Sequence, residues 1–288
     1  MTRHLFSFGH GYSARALARD LLPQGWRITG TTRSAEKAAA LEETGIDVLV
    51  LGRDDPAHAL RDASHLLVSA GPSEGEGDPA LVALRPTLDA VAPALKWAGY
   101  LSTTGVYGDH GGGWVDETTP LTPATKRGIL RVEAERAWQD LAADTGLKLH
   151  IFRLAGIYGP GRGPFSKVRA GTARRIVKPG QVFSRIHVDD IAQVLAASLA
   201  KPRPGAVYNL CDDDPAPPQD VIAHAATLLD LPLPPEIHWH EAEMSPMARS
   251  FYAESKRVRN DLIKSELGVS LKHPDYRTGL AALLEAED

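Results

Sequence analysis

The sequence predicts an α/β fold, a parallel sheet covered by helices on both faces, on three observations. Short apolar runs alternate with helical stretches from the amino terminus onward. The runs are nearly continuous in apolar residues rather than alternating, as strands buried on both faces are. A Gly-x-Gly-x-x-Ala turn, Gly9 to Ala14, separates the first run from the first helix. In order, the strand candidates are residues 5–8, 26–31, 48–51, 65–69, 100–103, 150–154 and 206–210, with helices at 14–22, 35–43, 130–145 and 191–200. Asp189 and Asp190 open the last of these and are placed to cap it and complement its dipole. Asp78-Pro79 starts another helix, but Pro86 and Pro93 fall within it, so it is expected to be short or broken.

Composition narrows the class of protein. The 288 residues correspond to about two lobes. With 43% hydrophobic and 24% charged residues, and 32 basic against 36 acidic, the chain is neither disordered nor a basic nucleic-acid binder. The single cysteine, Cys211, forms no intramolecular disulfide, which points to a reducing compartment, the cytoplasm by default. No apolar run approaches the ~20 residues of a membrane span, and no signal segment precedes the first strand. His238, His240 and Glu241 lack a defined further ligand, and no metal is assigned. Composition shifts at 159–180, rich in Gly, Arg and Lys, and again from Asp212, where prolines cluster; both read as departures from the sheet.

The turn carries the first chemistry. Gly9 lets the chain reverse tightly, Gly11 leaves room for a pyrophosphate, and Ala14 lets the helix pack closely on the strand. Residues Gly9, His10, Gly11, Tyr12, Ser13 and Ala14 therefore form a candidate dinucleotide-phosphate site at a helix amino terminus. At the end of the second strand, Thr32-Arg33-Ser34 offers no carboxylate for a ribose, whereas Arg33, with Ser34 and Lys37, suits a 2′-phosphate. The expected cofactor is NADP(H) in preference to NAD(H). Asp54, after the third strand, is a candidate neighbour of the adenine.

The segment Leu101-Ser-Thr-Thr-Gly-Val-Tyr-Gly108 resembles the S-S-x-x-V-Y-G segment of extended short-chain dehydrogenase/reductases, the NAD(P)-dependent epimerase/dehydratase-like group. The likeness continues through Asp116-Glu117-Thr-Thr-Pro120, Arg153-Leu-Ala-Gly-Ile-Tyr-Gly-Pro160, Ile186-His-Val-Asp-Asp190 and Val207-Tyr-Asn-Leu210, and so spans most of the chain. It implies a Rossmann-like, doubly wound parallel sheet with a smaller C-terminal substrate lobe. On that basis residues 1–160 and 185–211 form the NAD(P)-binding domain, and 161–184 with 212–288 the substrate lobe. Ser69, Ala70, Gly71, Ser102, Leu154, Ala155 and Ile157 would then line the cofactor. Thr103 matches the catalytic Ser or Thr, with Tyr107 beside it, while Thr104, Tyr158, Arg162, Arg185 and Tyr252 are candidates for contact with substrate.

The chain departs from the family where proton transfer occurs. Aligned on Gly128, the place of the family's Tyr-x-x-x-Lys is taken by Arg127-Gly-Ile-Leu-Arg131. The spacing keeps both side chains on one helical face, but guanidinium is protonated at neutral pH and is neither acid nor base there. Either arginine could bind phosphate, or both could sit on an exposed face pairing with Glu133 and Glu135. Tyr252-x-x-x-Lys256 reproduces the motif far downstream, in a segment resembling the family's substrate-lobe helix, and is not taken as the cofactor-side acid.

These features lead to an atypical NADP(H)-dependent oxidoreductase or epimerase/dehydratase-like enzyme acting on a small polar, anionic or nucleotide-linked molecule. Its proton would come from Tyr107, Tyr158 or water. The alternative is a non-catalytic NADP(H) sensor that has lost the Tyr-Lys pair. No nucleic-acid or membrane partner is expected, and either a monomer or a homodimer is compatible with the sequence.

Overall fold

A computed structural model describes residues 3–287, the side chain of Met247 excepted. Seven strands form the central sheet: β1 (His4–Phe8), β2 (Arg27–Thr32), β3 (Asp47–Val50), β4 (His65–Val68), β5 (Trp97–Thr103), β6 (Leu149–Leu154) and β7 (Val207–Leu210). All pair in parallel, in the order β7-β6-β5-β4-β1-β2-β3. The order reverses between β1 and β4, so the crevice for ligands opens at the carboxyl ends of those two strands.

Helices cover both faces. On one face α1 (Tyr12–Leu21) and α6 (Val188–Ala200) bury Leu17, Ile191 and Leu195 against Leu5, Trp97 and Phe152. On the other, α3 (Pro56–Asp62), α4 (Pro79–Val91) and α5 (Lys126–Thr145) bury Leu60, Leu84 and Trp138 against Phe6, Leu66 and Tyr100. The short α2 (Ala35–Glu42) lies between β2 and β3.

Contrary to the sequence expectation, α4 runs through Pro86 and ends at Val91, before Pro93. Pro86 and Val82, whose carbonyl would have received the missing N–H, both lie on the exposed face, Val82 being 71% exposed, so water can satisfy that carbonyl. Helix α5 starts earlier than its apolar pattern suggested. Thr125 caps it by accepting from the Gly128 N–H at 3.1 Å, which brings Arg127 and Arg131 into its first turns.

A third core lies beyond the sheet. Phe165, Val168 and Ala173 pack there with Val221 and Ala225 of α7 (Pro218–Leu228) and with Leu280 and Leu283 of α8 (Tyr276–Glu285). Short parallel strands at Arg175–Val177 and Glu236–His238 flank it. Part of the C-terminal tail belongs elsewhere: Arg257–Val258 pairs with Trp114–Val115, and Val258, Ile263 and Leu267 pack into the core of the main sheet. Among the described residues no helix is long and apolar enough to cross a membrane.

Candidate active site

The turn after β1 has the build of an anion cradle. Gly9 adopts φ +78°, and a Cβ there would lie 2.8 Å from the backbone nitrogen of Ala70, so both its conformation and its contact with the loop after β4 require glycine. Thr31 fixes the turn from β2, its hydroxyl accepting from the Gly9 N–H at 2.8 Å and its carbonyl from the His10 N–H at 2.9 Å. The Ser69 hydroxyl donates to the Gly9 carbonyl from the other side. Gly11 is the N-cap of α1 and contributes no side-chain bond, and the first turn carries no acidic residue. The leading N–H groups of α1 and its positive dipole end are thus left for an external anion. A dinucleotide pyrophosphate fits this cradle.

His10 does not share in it. It is 5% exposed, packs over Gly30 and places Nδ1 3.0 Å from the Ser7 hydroxyl, while burial lowers its pKa to about 4. Its bulk supports the turn from beneath, a correction to its reading as a cofactor contact. Ser13 and Ala14 are likewise buried, at the joint between α1 and the sheet. Tyr12 donates to the Pro160 carbonyl at 3.0 Å, and the Arg162 guanidinium lies 5.8 Å from the centre of its ring. Arg162, expected in the substrate lobe, therefore stands against the phosphate turn.

At the end of β2, Thr32 accepts from the Ser34 N–H at 3.2 Å and Ser34 caps α2 by accepting from the Lys37 N–H at 3.3 Å. Arg33 and Lys37 are exposed, and neither side chain has a hydrogen bond or ion pair among the described residues. Asp54 closes its own turn instead of reaching outward. It accepts from the Val50 N–H at 2.8 Å and pairs with Arg53, whose hydrogen bond holds its pKa low.

Beneath the strand ends lies a network the sequence did not disclose. Ser102 donates to Glu135, and Glu135 pairs with Arg153 at 2.8 Å with side chains 1% and 5% exposed. Arg153 also donates to the Tyr107 hydroxyl at 2.9 Å, which in turn donates to Asn209 at 2.7 Å. Burial pushes the Tyr107 pKa up to about 12. Tyr107 is fully buried with its hydroxyl occupied, so it anchors the turn at Thr104–Tyr107 and is not placed to supply a proton; Ser102 is equally committed below the cleft. Thr104 is buried in that turn, whereas Thr103 is half-buried and its hydroxyl accepts from the Gly105 N–H at 3.1 Å.

Helix α5 meets this turn at Gly128, where a Cβ would lie 2.8 Å from the Gly105 carbonyl. The contact sets Arg127 beside the turn. Arg131 is 9% exposed; it donates to the Leu101 carbonyl at 2.7 Å and to the Tyr100 hydroxyl at 3.1 Å. Its guanidinium fills the space under Gly71, where a Cβ would lie 2.5 Å from Nη2. The exposed-face alternative is thereby excluded for Arg131, and Glu135 is the partner of Arg153. Crowding lowers the Arg127 pKa, first by desolvation and then through the charges of Arg131 and Arg162. Arg127, Arg131 and Arg162 thus gather around the phosphate turn, and none forms an ion pair among the described residues.

Leu154, Ala155 and Ile157 end β6 and begin a short strand, Gly156–Tyr158, that pairs with Arg185–His187. Tyr158 enters the third core. Its hydroxyl lies 3.3 Å from the Asp275 carbonyl and burial raises its pKa, so it is not placed as a proton donor. Arg185 and Tyr252 do come together, lining a cleft of about 290 Å³ with Pro164, Lys167 and Arg174. A larger groove of about 360 Å³, bordered by Gln139, Leu149 and Ala206, lies at the amino ends of β6 and β7, away from the strand ends that carry the site.

Two sequence readings near α6 change. The N-cap is His187, whose Nδ1 accepts from the Asp189 N–H at 3.2 Å, while Asp189 pairs with Arg19 at 2.9 Å. Asp190 instead accepts from the Lys272 and His273 N–H groups and fastens the tail. Ligand-type atoms of His187, Asp189 and His273 gather within 4.8 Å, a grouping that sequence spacing did not suggest. Lys256, from the second Tyr-x-x-x-Lys, donates to the Gly108 carbonyl at 2.6 Å and holds its own segment in place.

The doubly wound parallel sheet and the turn at its switch point define a Rossmann-like α/β protein with an appended lobe. The chain belongs to the NAD dependent epimerase/dehydratase family, whose profile matches residues 9–211. It is 30% identical to Protein YeeZ of Escherichia coli (strain K12), covering 93% of this chain and 95% of that one. It is 27% identical to a 3-diazoavenalumate denitrifying reductase of Streptomyces sp, over 94% and 91% of the two chains. A solved structure of a conserved protein of unknown function from Silicibacter pomeroyi DSS superposes with a TM-score of 0.93 at 59% identity, over 100% of both chains.

Proposed function

We propose that the protein is an NADP(H)-dependent reductase that delivers hydride to a small electrophilic molecule and does not run the reversible alcohol oxidation of an epimerase or dehydratase. The observation that carries this reading is the pair Arg127 and Arg131 on the first turns of α5, where an acid–base tyrosine and its lysine would otherwise stand.

Oxidising an alcohol requires a base to take the hydroxyl proton as hydride leaves, and protonated guanidinium cannot be that base. The other tyrosines considered, Tyr107 and Tyr158, are buried in packed interiors. Hydride arriving at an electrophile makes the opposite demand, since negative charge develops on the substrate. Cationic donors fixed nearby stabilise it, and the completing proton is drawn from water. Thr103 would orient the reacting atom at the end of β5, and the arginines would hold the charge. The cofactor supplies the hydride when bound; Gly9, Gly11 and the start of α1 would hold its pyrophosphate, and Arg33 with Lys37 its 2′-phosphate. The reductase relative from Streptomyces supports this direction of chemistry.

The test is turnover of NADPH against a panel of imines, activated alkenes and other electrophiles whose reduction gives no alcohol, beside a panel of nucleotide sugars. Oxidation of NADPH by the first panel alone is expected. Epimerised or dehydrated sugar would overturn the reading, and tight NADPH binding with no turnover in either panel would favour a cofactor-dependent sensor.

A further inference from the structure

We propose that the cleft between residues 163–176 and α7 binds the carboxylate end of a small electrophile with an apolar aryl or short alkyl body, the substrate of this reductase. The inference rests on the reading of the outer lobe as the substrate lobe and names the class of molecule it takes.

Charge comes first. Lys167, Arg174 and Arg185 line the cleft, and no carboxylate does. The Lys167 ammonium has no partner among the described residues. Arg174 donates through Nη1 to the Gly171 and Ala173 carbonyls, and Arg185 through Nη1 to the Phe183 and Ala216 carbonyls. Both guanidiniums are thus positioned by backbone oxygens, Arg185 with the Asp212 carboxyl also nearby, and Nε and Nη2 of each have no hydrogen bond among the described residues. Three cationic side chains around one cleft lined by no carboxylate attract an anion.

The remaining lining decides what the anion carries. Ile176, Val221, Ile222, Pro164 and Pro218 are apolar, and Tyr252 adds an aromatic ring whose hydroxyl has no partner among the described residues. Among the described residues the wall holds no Asp, Glu, Asn, Gln, Ser or Thr. Sugar and ribose hydroxyls need such groups, because polar atoms that enter a cleft without partners bind poorly. The volume, about 290 Å³, is at the lower edge of small-molecule sites and suits one ring with a short chain, not a nucleotide with its sugar.

Calorimetric titration of the NADPH-loaded protein with 3-phenylpropanoate, 3-phenylpropanamide and UDP-glucose tests the proposal. The acid should bind at least about tenfold tighter than its amide, as expected for charge-assisted hydrogen bonds, and tighter than UDP-glucose, whose size and sugar hydroxyls the cleft does not accommodate. Lys167→Gln and Arg174→Gln alter exposed side chains and should leave the fold intact; each should weaken the acid severalfold and leave the amide unchanged. Equal affinity for acid and amide, or tighter binding of UDP-glucose, would overturn the proposal. NADPH affinity, measured in the same samples, reports separately on the cofactor reading. If NADPH fails to bind, that reading falls, and the comparison of acid with amide on the cofactor-free protein still decides the cleft.

Discussion

Arg153 meets Glu135 at 2.8 Å in the interior, with the two side chains 5% and 1% exposed, directly beneath the strand ends that frame the candidate site. The pair ties α5 to β6, and through Ser102 and Tyr107 it also reaches β5 and the turn that follows. Removing one partner would leave the other charged, buried and unpaired. Glu135→Ala is therefore expected to lower unfolding free energy by roughly 3–5 kcal/mol, read by urea denaturation, and replacing both partners with apolar residues should recover much of the loss.

Tyr107 belongs to the same network. Tyr107→Phe should cost about 1–3 kcal/mol of stability through its lost bonds with Arg153 and Asn209, while NADPH turnover per folded molecule stays within about twofold. A drop of a hundredfold or more in turnover with unchanged stability would return Tyr107 to the chemistry.

On the proposed cofactor reading, Arg33 bears the choice between NADPH and NADH. Arg33→Ala should weaken NADPH binding by roughly tenfold or more, the worth of a charge-assisted hydrogen bond, and leave NADH binding unchanged in fluorescence titrations. Its exposed position without an ion-pair partner makes a folding defect an unsuitable explanation for such a loss.

Asp212 gives the protein a pH signature. It is 1% exposed, and burial, opposed by nearby Arg185, raises its pKa to about 8. The unfolded chain loses this proton near pH 4 and the folded protein near pH 8. Between those values the folded state holds a proton that the unfolded state has released, so this group's contribution to stability falls as pH rises and levels off above about 8. Asp212→Asn should match the parent near pH 4 and gain on it by at most about 1.4 kcal/mol per pH unit up to that plateau, measured by denaturation at several pH values.

Much of the fold was legible because its signals are local. Each of the seven apolar runs became a strand of the sheet, and the turn at Gly9 lies where the strand order reverses. The Glu135–Arg153 pair was not legible, since charged side chains ordinarily face water and nothing in their spacing marks them as partners across the fold. Arg127 and Arg131 were found by their position in the family pattern, but only the structure separates their roles: Arg131 is clamped under Gly71, and Arg127 stays exposed beside the turn. Tyr158 and His10 were read as site residues from adjacency in sequence, and side-chain direction sent both into the interior. Arg185 and Tyr252, far apart in the chain, were both read as substrate contacts, and the fold gives them one cleft.

The most direct test of hydride delivery to a small electrophile uses NADPH deuterated at the transferring position of the nicotinamide. With aryl carboxylates bearing an imine or an activated alkene as acceptors, whose reduction lies far toward product, deuterium is expected bonded to carbon in the reduced product and absent from nucleotide sugars offered in their place. Unlabelled product, or deuterium passed to a nucleotide sugar, overturns this reading.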